Sequence, residues 1–183
     1  MRTRGIRRIT LGFAAALLIA AVPLAAQGQR PEAKNFVTHL SGDQEVPARE
    51  TSAQGQAIFH LSEDGLSLRY KLIVANINNV VASHIHVGVA GVNGPVVVFL
   101  AGPFAPAGGR TDGVLAEGTI TAANLTGPLV GMDLSVLVAA LRTGGAYVNV
   151  HTNDGVDPTN TGAGDFPGGE IRGQIRTAGP PAQ

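Results

Sequence analysis

Residues 66–76, LSLRYKLIVAN, place Leu66, Leu68, Tyr70, Leu72 and Val74 on one face of an extended chain and Ser67, Arg69 and Lys71 on the other. Side chains alternate faces along a strand, so this stretch predicts an antiparallel strand with one side in a core and one in water. Asp64-Gly65 just before it supplies the residues that a tight hairpin turn favours. The stretch on the other side of that turn, GQAIFHLS, answers with Ala57, Phe59 and Leu61 against Ile58 and His60. NFVTHLSG repeats the pattern with Phe36, Thr38 and Leu40 against Val37 and His39. Further short Val, Ile and Leu runs follow, divided by turn signals such as Asn93-Gly94, and the chain holds 25 glycines and 11 prolines. Many short strands with frequent turns predict an all-β fold, an antiparallel β-sandwich or Greek-key barrel. One short helix is expected in LSVLVAALR, where Leu134, Leu137, Val138 and Leu141 fall at helical spacing. Asp133 can cap its start and Gly144-Gly145 can end it.

The N-terminus has a different character. Arg2, Arg4, Arg7 and Arg8 precede the apolar run ITLGFAAALLIAAV, and PLAAQGQ supplies small residues for cleavage. That layout predicts a secretory signal peptide over residues 1–26, with cleavage after Ala26. Arg7-Arg8 raises twin-arginine export as a second route. A flexible lead-in is expected over 27–34, one domain over 35–177, and a disordered tail over 178–183. Without the leader, nine basic side chains face thirteen acidic ones, a formal charge of −4. A chain of that charge is no obvious binder of nucleic acid or anionic lipid, and no membrane span is expected after cleavage. The expected location is periplasmic or secreted. With no cysteine, the chain has no disulfides and no thiolate for a metal.

Three of the five histidines lie in two stretches, SHIHV and NVHTNDG. His84 and His86 share a strand face with Cα atoms about 6.6 Å apart. Tyr147, Asn149 and His151 share a face of AYVNVHT, and in both strands the apolar set is expected to take the core. The histidines then lie on the outer face or at the mouth of the fold. There His84, His86 and His151 are candidate ligands for one metal ion. Copper is the first choice and zinc the alternative, because imidazole suits both and copper binds a given nitrogen set more tightly. Convergence of the three ring nitrogens within about 4 Å favours such a site, and separations above ~8 Å exclude it. The long loop NDGVDPTNTGAGDFPGG leaves directly from His151 and can roof the site. His39 and His60 stand alone on outward positions. Asn153, Asp154, Asp157, Asn160 and Asp165 raise calcium, but their spacing is not that of an EF-hand, and such residues also build turns. No nucleophile-and-base motif is present. Ser83 and His84 are chain neighbours in a strand and face opposite ways.

LSGDQEVP, ASHIHVGVAGVNGPVVVFL, the short helix before a glycine pair, AYVNVHT and PGGEIRGQI occur in that order. In that order they resemble the chordin-type (CHRD) domain over about residues 35–176. The resemblance implies an extracellular all-β domain with no established activity. Animal members occur in tandem in a secreted antagonist of growth factors, whereas bacterial members stand alone behind a signal peptide. A single copy without Cys-rich modules does not carry over a growth-factor partner. The chain is also similar, more loosely, to Cu/Zn superoxide dismutase, which implies copper on His84, His86 and His151, with Arg172 near the active-site arginine. Residues 95–110 contain no further histidine, and the zinc ligands and disulfide of that family are absent. No catalytic residue is assigned, and those departures weigh against dismutase activity. Glu45, Glu170 and Arg172 lie in the two most characteristic motifs. They are expected either to orient a ligand histidine or to form a structural ion pair between the first and last strands. Two functions follow: an exported copper- or zinc-binding protein, or a non-catalytic extracellular interaction domain without metal.

Overall fold

The computed structural model describes residues 32–179. The expected signal peptide and most of the lead-in lie outside the described residues. Nine strands form one antiparallel sheet: β1 (Asn35–Ser41), β2 (Gln54–Leu61), β3 (Leu68–Asn78), β4 (Val80–Val87), β5 (Val96–Ala101), β6 (Arg110–Ile120), β7 (Ala146–Thr152), β8 (Ile171–Gln174) and β9 (Arg176–Thr177). One helix, α1 (Leu134–Arg142), precedes β7. The strand order is β5-β4-β7-β8-β1-β2-β3-β6, with β9 paired beside β1, and the sheet curls into a nearly closed barrel.

The period-2 pattern sets which face of each strand is inside. Phe36, Thr38 and Leu40 of β1, Ala57, Phe59 and Leu61 of β2, and Leu68, Leu72 and Val74 of β3 are all buried. Leu66 departs from expectation: it precedes β3 in the turn and is 69 % exposed. In α1 the four residues at helical spacing, Leu134, Leu137, Val138 and Leu141, are the four that enter the core. Asp133 occupies the N-cap position, although its side chain makes no capping hydrogen bond. Gly144 ends the helix at φ +67°, a conformation that costs glycine little.

The two ends of the sheet, β5 and β6, are not neighbours in the ladder. Tyr70 of β3 reaches across the gap and donates its hydroxyl to the Leu100 carbonyl of β5 at 2.7 Å. Gly118 of β6 makes the passage possible: a Cβ there would lie 3.0–3.3 Å from two ring carbons and the hydroxyl oxygen of Tyr70. The end of the expected lead-in is held against the barrel. The Lys34 carbonyl accepts from Leu61 N–H, and Ala33 lies at the limit of hydrogen-bond distance from Arg142.

Candidate metal centre

The barrel wall formed by β4, β7 and β8 carries the histidines. Ser83 and Ile85 of β4 point inward and are fully buried, so His84 and His86 point outward. In β7, Val148 and Val150 fill the core, and Tyr147, Asn149 and His151 face out. Register aligns the two sets: Ala82 pairs with His151, His84 with Asn149, and His86 with Tyr147. On the other flank, β5 is irregular beside both histidines, with register shifts between Ser83 and His84 and between Ile85 and His86. Bulges of this kind re-aim side chains next to sites. One of them sets Phe99 opposite His84, where the rings meet edge to face at 4.6 Å between centroids.

The outward face is not in open water. His86, Asn149, Tyr147 and Arg172 are each at most 8 % exposed. Residues 88–95 and 153–169 cover them, and these connections supply the contacts that fix the rings. His86 Nδ1 lies 2.8 Å from the Gly94 carbonyl, and His151 Nδ1 lies 2.8 Å from the Pro167 carbonyl. A carbonyl only accepts, so both rings carry their proton on Nδ1 and leave Nε2 as a lone pair. His84 Nδ1 lies 3.0 Å from His151 Nε2. With His151 Nε2 an acceptor, His84 donates from Nδ1, and its Nε2 is a lone pair too. The Nε2 atoms of His84 and His86 are buried and have no hydrogen-bond partner. Ligand nitrogens of the three rings all lie within 4.8 Å of one another.

Burial of His84, with the neighbouring His151 and His86, pushes its pKa down to about 4. Burial also lowers His86, against the Gly94 and Asn149 contacts, and it lowers His151 against the Pro167 contact. All three are therefore neutral at pH 7. Neutral imidazoles with converging, unsatisfied lone pairs are what a metal cation requires of a nitrogen site. Two nitrogens on one ion with bonds near 2.05 Å are at most about 4.1 Å apart. The observed 4.8 Å exceeds that limit and the convergence within about 4 Å expected of the site, but lies far inside the ~8 Å that would exclude a shared ion. A ring shift on the order of 1 Å brings the set into bonding range. The three residues can thus hold a metal ion, and each Nδ1–H to carbonyl bond is the outer contact that typically fixes a ligating histidine.

Around this cluster lies a second group of buried polar side chains. Tyr147 stacks on His86 with centroids 4.8 Å apart and planes 9° from parallel. The Arg172 guanidinium lies 3.4 Å over the Tyr147 ring. The expected ion pair between the first and last strands is not formed among Glu45, Glu170 and Arg172. Glu170 instead accepts from the hydroxyls of Thr51 and Thr152, both at 2.6 Å, and from Gly164 N–H at 2.8 Å. Arg172 donates to Asn93 Oδ1 and to the carbonyls of Val89 and Val92. Both ions are satisfied by groups that a side-chain pairing argument overlooks. Glu45 has one carboxylate oxygen buried without a partner, and burial pushes its pKa up to about 7 against the nearby Arg172 and Arg49 charges. Its position beside Asn149 depends on Gly169, whose Cβ would fall 2.4 Å from Glu45 Oε1 and 3.0 Å from Asn149 Nδ2.

His39 and His60 are exposed, on strands away from this wall. The acidic and amide residues after His151 act as turn formers: Asn153 accepts from Gly155 N–H, Asp154 from Val156 N–H, and Asp165 from Thr161. Sequence reasoning passed over Tyr147, Asn149 and Gly94 as site residues. The first two share the His151 face by simple alternation, which was the signal available for them. Ser83 donates to the Asn149 carbonyl, on the side of β4 away from the histidines.

A search of curated proteins found no match. A family model described as the CHRD domain matches residues 36–175. The matched segment runs from the first buried residue of β1 to the end of the last site strand, and it contains His84, His86, His151, Glu45, Glu170 and Arg172. The chain belongs to the CHRD domain family.

Proposed function

We propose that this is an exported metal-binding protein that holds one copper ion through His84, His86 and His151 and serves in periplasmic or extracellular metal handling. One observation carries the reading: three neutral imidazoles converge within 4.8 Å, two of them with buried Nε2 lone pairs that no protein donor meets. A buried acceptor without a donor costs about 1–3 kcal/mol, and a Lewis acid offsets that cost at both atoms together. Copper is favoured over zinc because the donor set is nitrogen alone and copper binds such a set more tightly. The basic, apolar and small-residue order of residues 1–26 supports export.

Copper titration of the metal-free protein, read by calorimetry and electron paramagnetic resonance, tests this. One equivalent is expected with nitrogen hyperfine structure, lost in His84→Ala and His151→Ala. Binding that is weak and unaffected by both substitutions leaves the other reading, an extracellular interaction domain in which the histidines serve only their hydrogen bonds.

A further inference from the structure

Arg172 is the largest fully buried side chain among the described residues, at 1 % exposure, and no carboxylate lies within 4 Å of it. A guanidinium withdrawn from water with no carboxylate in direct contact needs other compensation. Here the compensation is spent on two structures that both end at His86. One is the Tyr147 ring, which lies against Arg172 at 3.4 Å and against His86 at 4.8 Å. The three residues come from adjacent strands β8, β7 and β4. The other is the turn of residues 88–94. Arg172 holds it through Val89, Val92 and Asn93, and Asn93 in turn donates to the Val46 carbonyl at 2.8 Å. This turn ends at Gly94, whose N–H donates to the Tyr147 hydroxyl and whose carbonyl accepts from His86 Nδ1. No other residue fits at Gly94, since a Cβ would lie 1.7 Å from the Val87 carbonyl oxygen.

We propose that Arg172 is a positioning residue for the metal: through the Tyr147 ring and the 88–94 turn it fixes the plane and the tautomer of His86, so that Nε2 is the nitrogen presented to His84 and His151. The proposal rests on the three-histidine reading of the site. The face stack sets the tilt of the imidazole, and the Gly94 carbonyl sets which nitrogen keeps the proton. Arg172 makes no contact with the metal in this scheme; it acts through Tyr147 and Gly94.

The test compares wild type, Arg172→Gln and Arg172→Lys, with Glu170→Gln as a control that loosens the other covering loop. Lysine keeps a cation and is the variant more certain to fold, but it cannot fork across Asn93, Val89 and Val92. In the metal-free proteins, ¹⁵N spectra of the histidine rings report the tautomer directly. His86 is expected to keep a slowly exchanging Nδ1–H in wild type and in Glu170→Gln. Both Arg172 variants should lose it and populate the other tautomer. Copper affinity should fall roughly 10- to 100-fold in the same two variants, with altered hyperfine splitting. An unchanged His86 tautomer and unchanged copper binding in Arg172→Gln and Arg172→Lys, whatever their stability, overturn the proposal and leave Arg172 a clamp on the turn. Wild type that binds no copper overturns the metal reading and this proposal with it.

Discussion

His84 and His151 meet nitrogen to nitrogen across 3.0 Å, Nδ1 to Nε2, from adjacent strands. In the metal-free protein that contact is a hydrogen bond between two neutral rings, and a metal bound as proposed at His151 Nε2 replaces it. Because burial holds all three histidines below their ordinary range, and His84 at about 4, protons compete with the metal only in acid. Copper occupancy is expected to persist from pH 7 to about pH 5 and to fall as the pH approaches 4. An unperturbed histidine set would release it near pH 6.5. Equilibrium dialysis across pH 3.5–7.5 measures the midpoint.

Those shifts also set the stability of the metal-free fold. Histidines with a lowered folded pKa bind protons more readily in the unfolded chain. Stability is then full above about pH 6.5 and declines as pH falls towards 4. His84→Phe should flatten that decline. Thermal unfolding at pH 7.5, 6 and 5 gives the slope for each protein.

Glu45 has the opposite sign. Its folded pKa, pushed up to about 7, lies above the 4.5 of the free side chain, so the unfolded chain loses its proton first as pH rises. Stability is lost between about pH 4.5 and 7. Glu45→Gln mimics the protonated form and should change little at pH 4.5, then stabilise at pH 8 by up to about 3 kcal/mol. Urea unfolding at the two pH values checks the direction, and stabilisation at pH 4.5 alone would contradict it.

Glu170 is 1 % exposed and accepts three short hydrogen bonds that tie β7, the segment before β2 and the covering loop to one carboxylate. Glu170→Gln sets an amide donor against groups that are themselves donors. A loss of roughly 2–3 kcal/mol is expected, with faster hydrogen exchange at Gly164 and Phe166. An unaltered urea midpoint would refute the arrangement.

Tyr70→Phe removes the hydroxyl that bridges β3 to the Leu100 carbonyl. The expected cost is about 1 kcal/mol, localised to faster amide exchange in β5.

Much of this barrel is legible in the chain because alternation is a local property. Phe36, Thr38 and Leu40, or His84 and His86, share a face whatever else the protein does, and the apolar set decides which face is inside. The helix is legible for the same reason at a different period. What alternation does not contain is register between strands far apart in sequence. Ala82 opposite His151 is a pairing across 69 residues, and it brings the third ring to the other two. The roof over the histidines was legible in part: the long loop after His151 was expected to cover them, and Pro167 does, but the 88–95 turn on His86 was hidden. Glu45, Glu170 and Arg172 suggested an ion pair between the first and last strands because charge is written in the sequence, whereas the carbonyls of Val89 and Val92 that hold Arg172 belong to any residue. Four of the five features that carry the family resemblance converge on one wall: Glu45-Val46, the histidine strand with its turn, Tyr147 to His151, and Gly169 to Arg172. Their order along the chain gives no hint of that meeting.

The seam at Tyr70 has a dynamic consequence. A barrel closed by a full ladder opens only when the whole molecule unfolds, whereas β5 keeps its ladder to β4 on one edge alone, and that ladder is interrupted twice beside His84 and His86. The wall that carries two of the three rings therefore borders one of the two open edges of the sheet. For the metal site proposed here, fraying of that single strand offers ion entry and exit on a timescale set by local breathing instead of global denaturation.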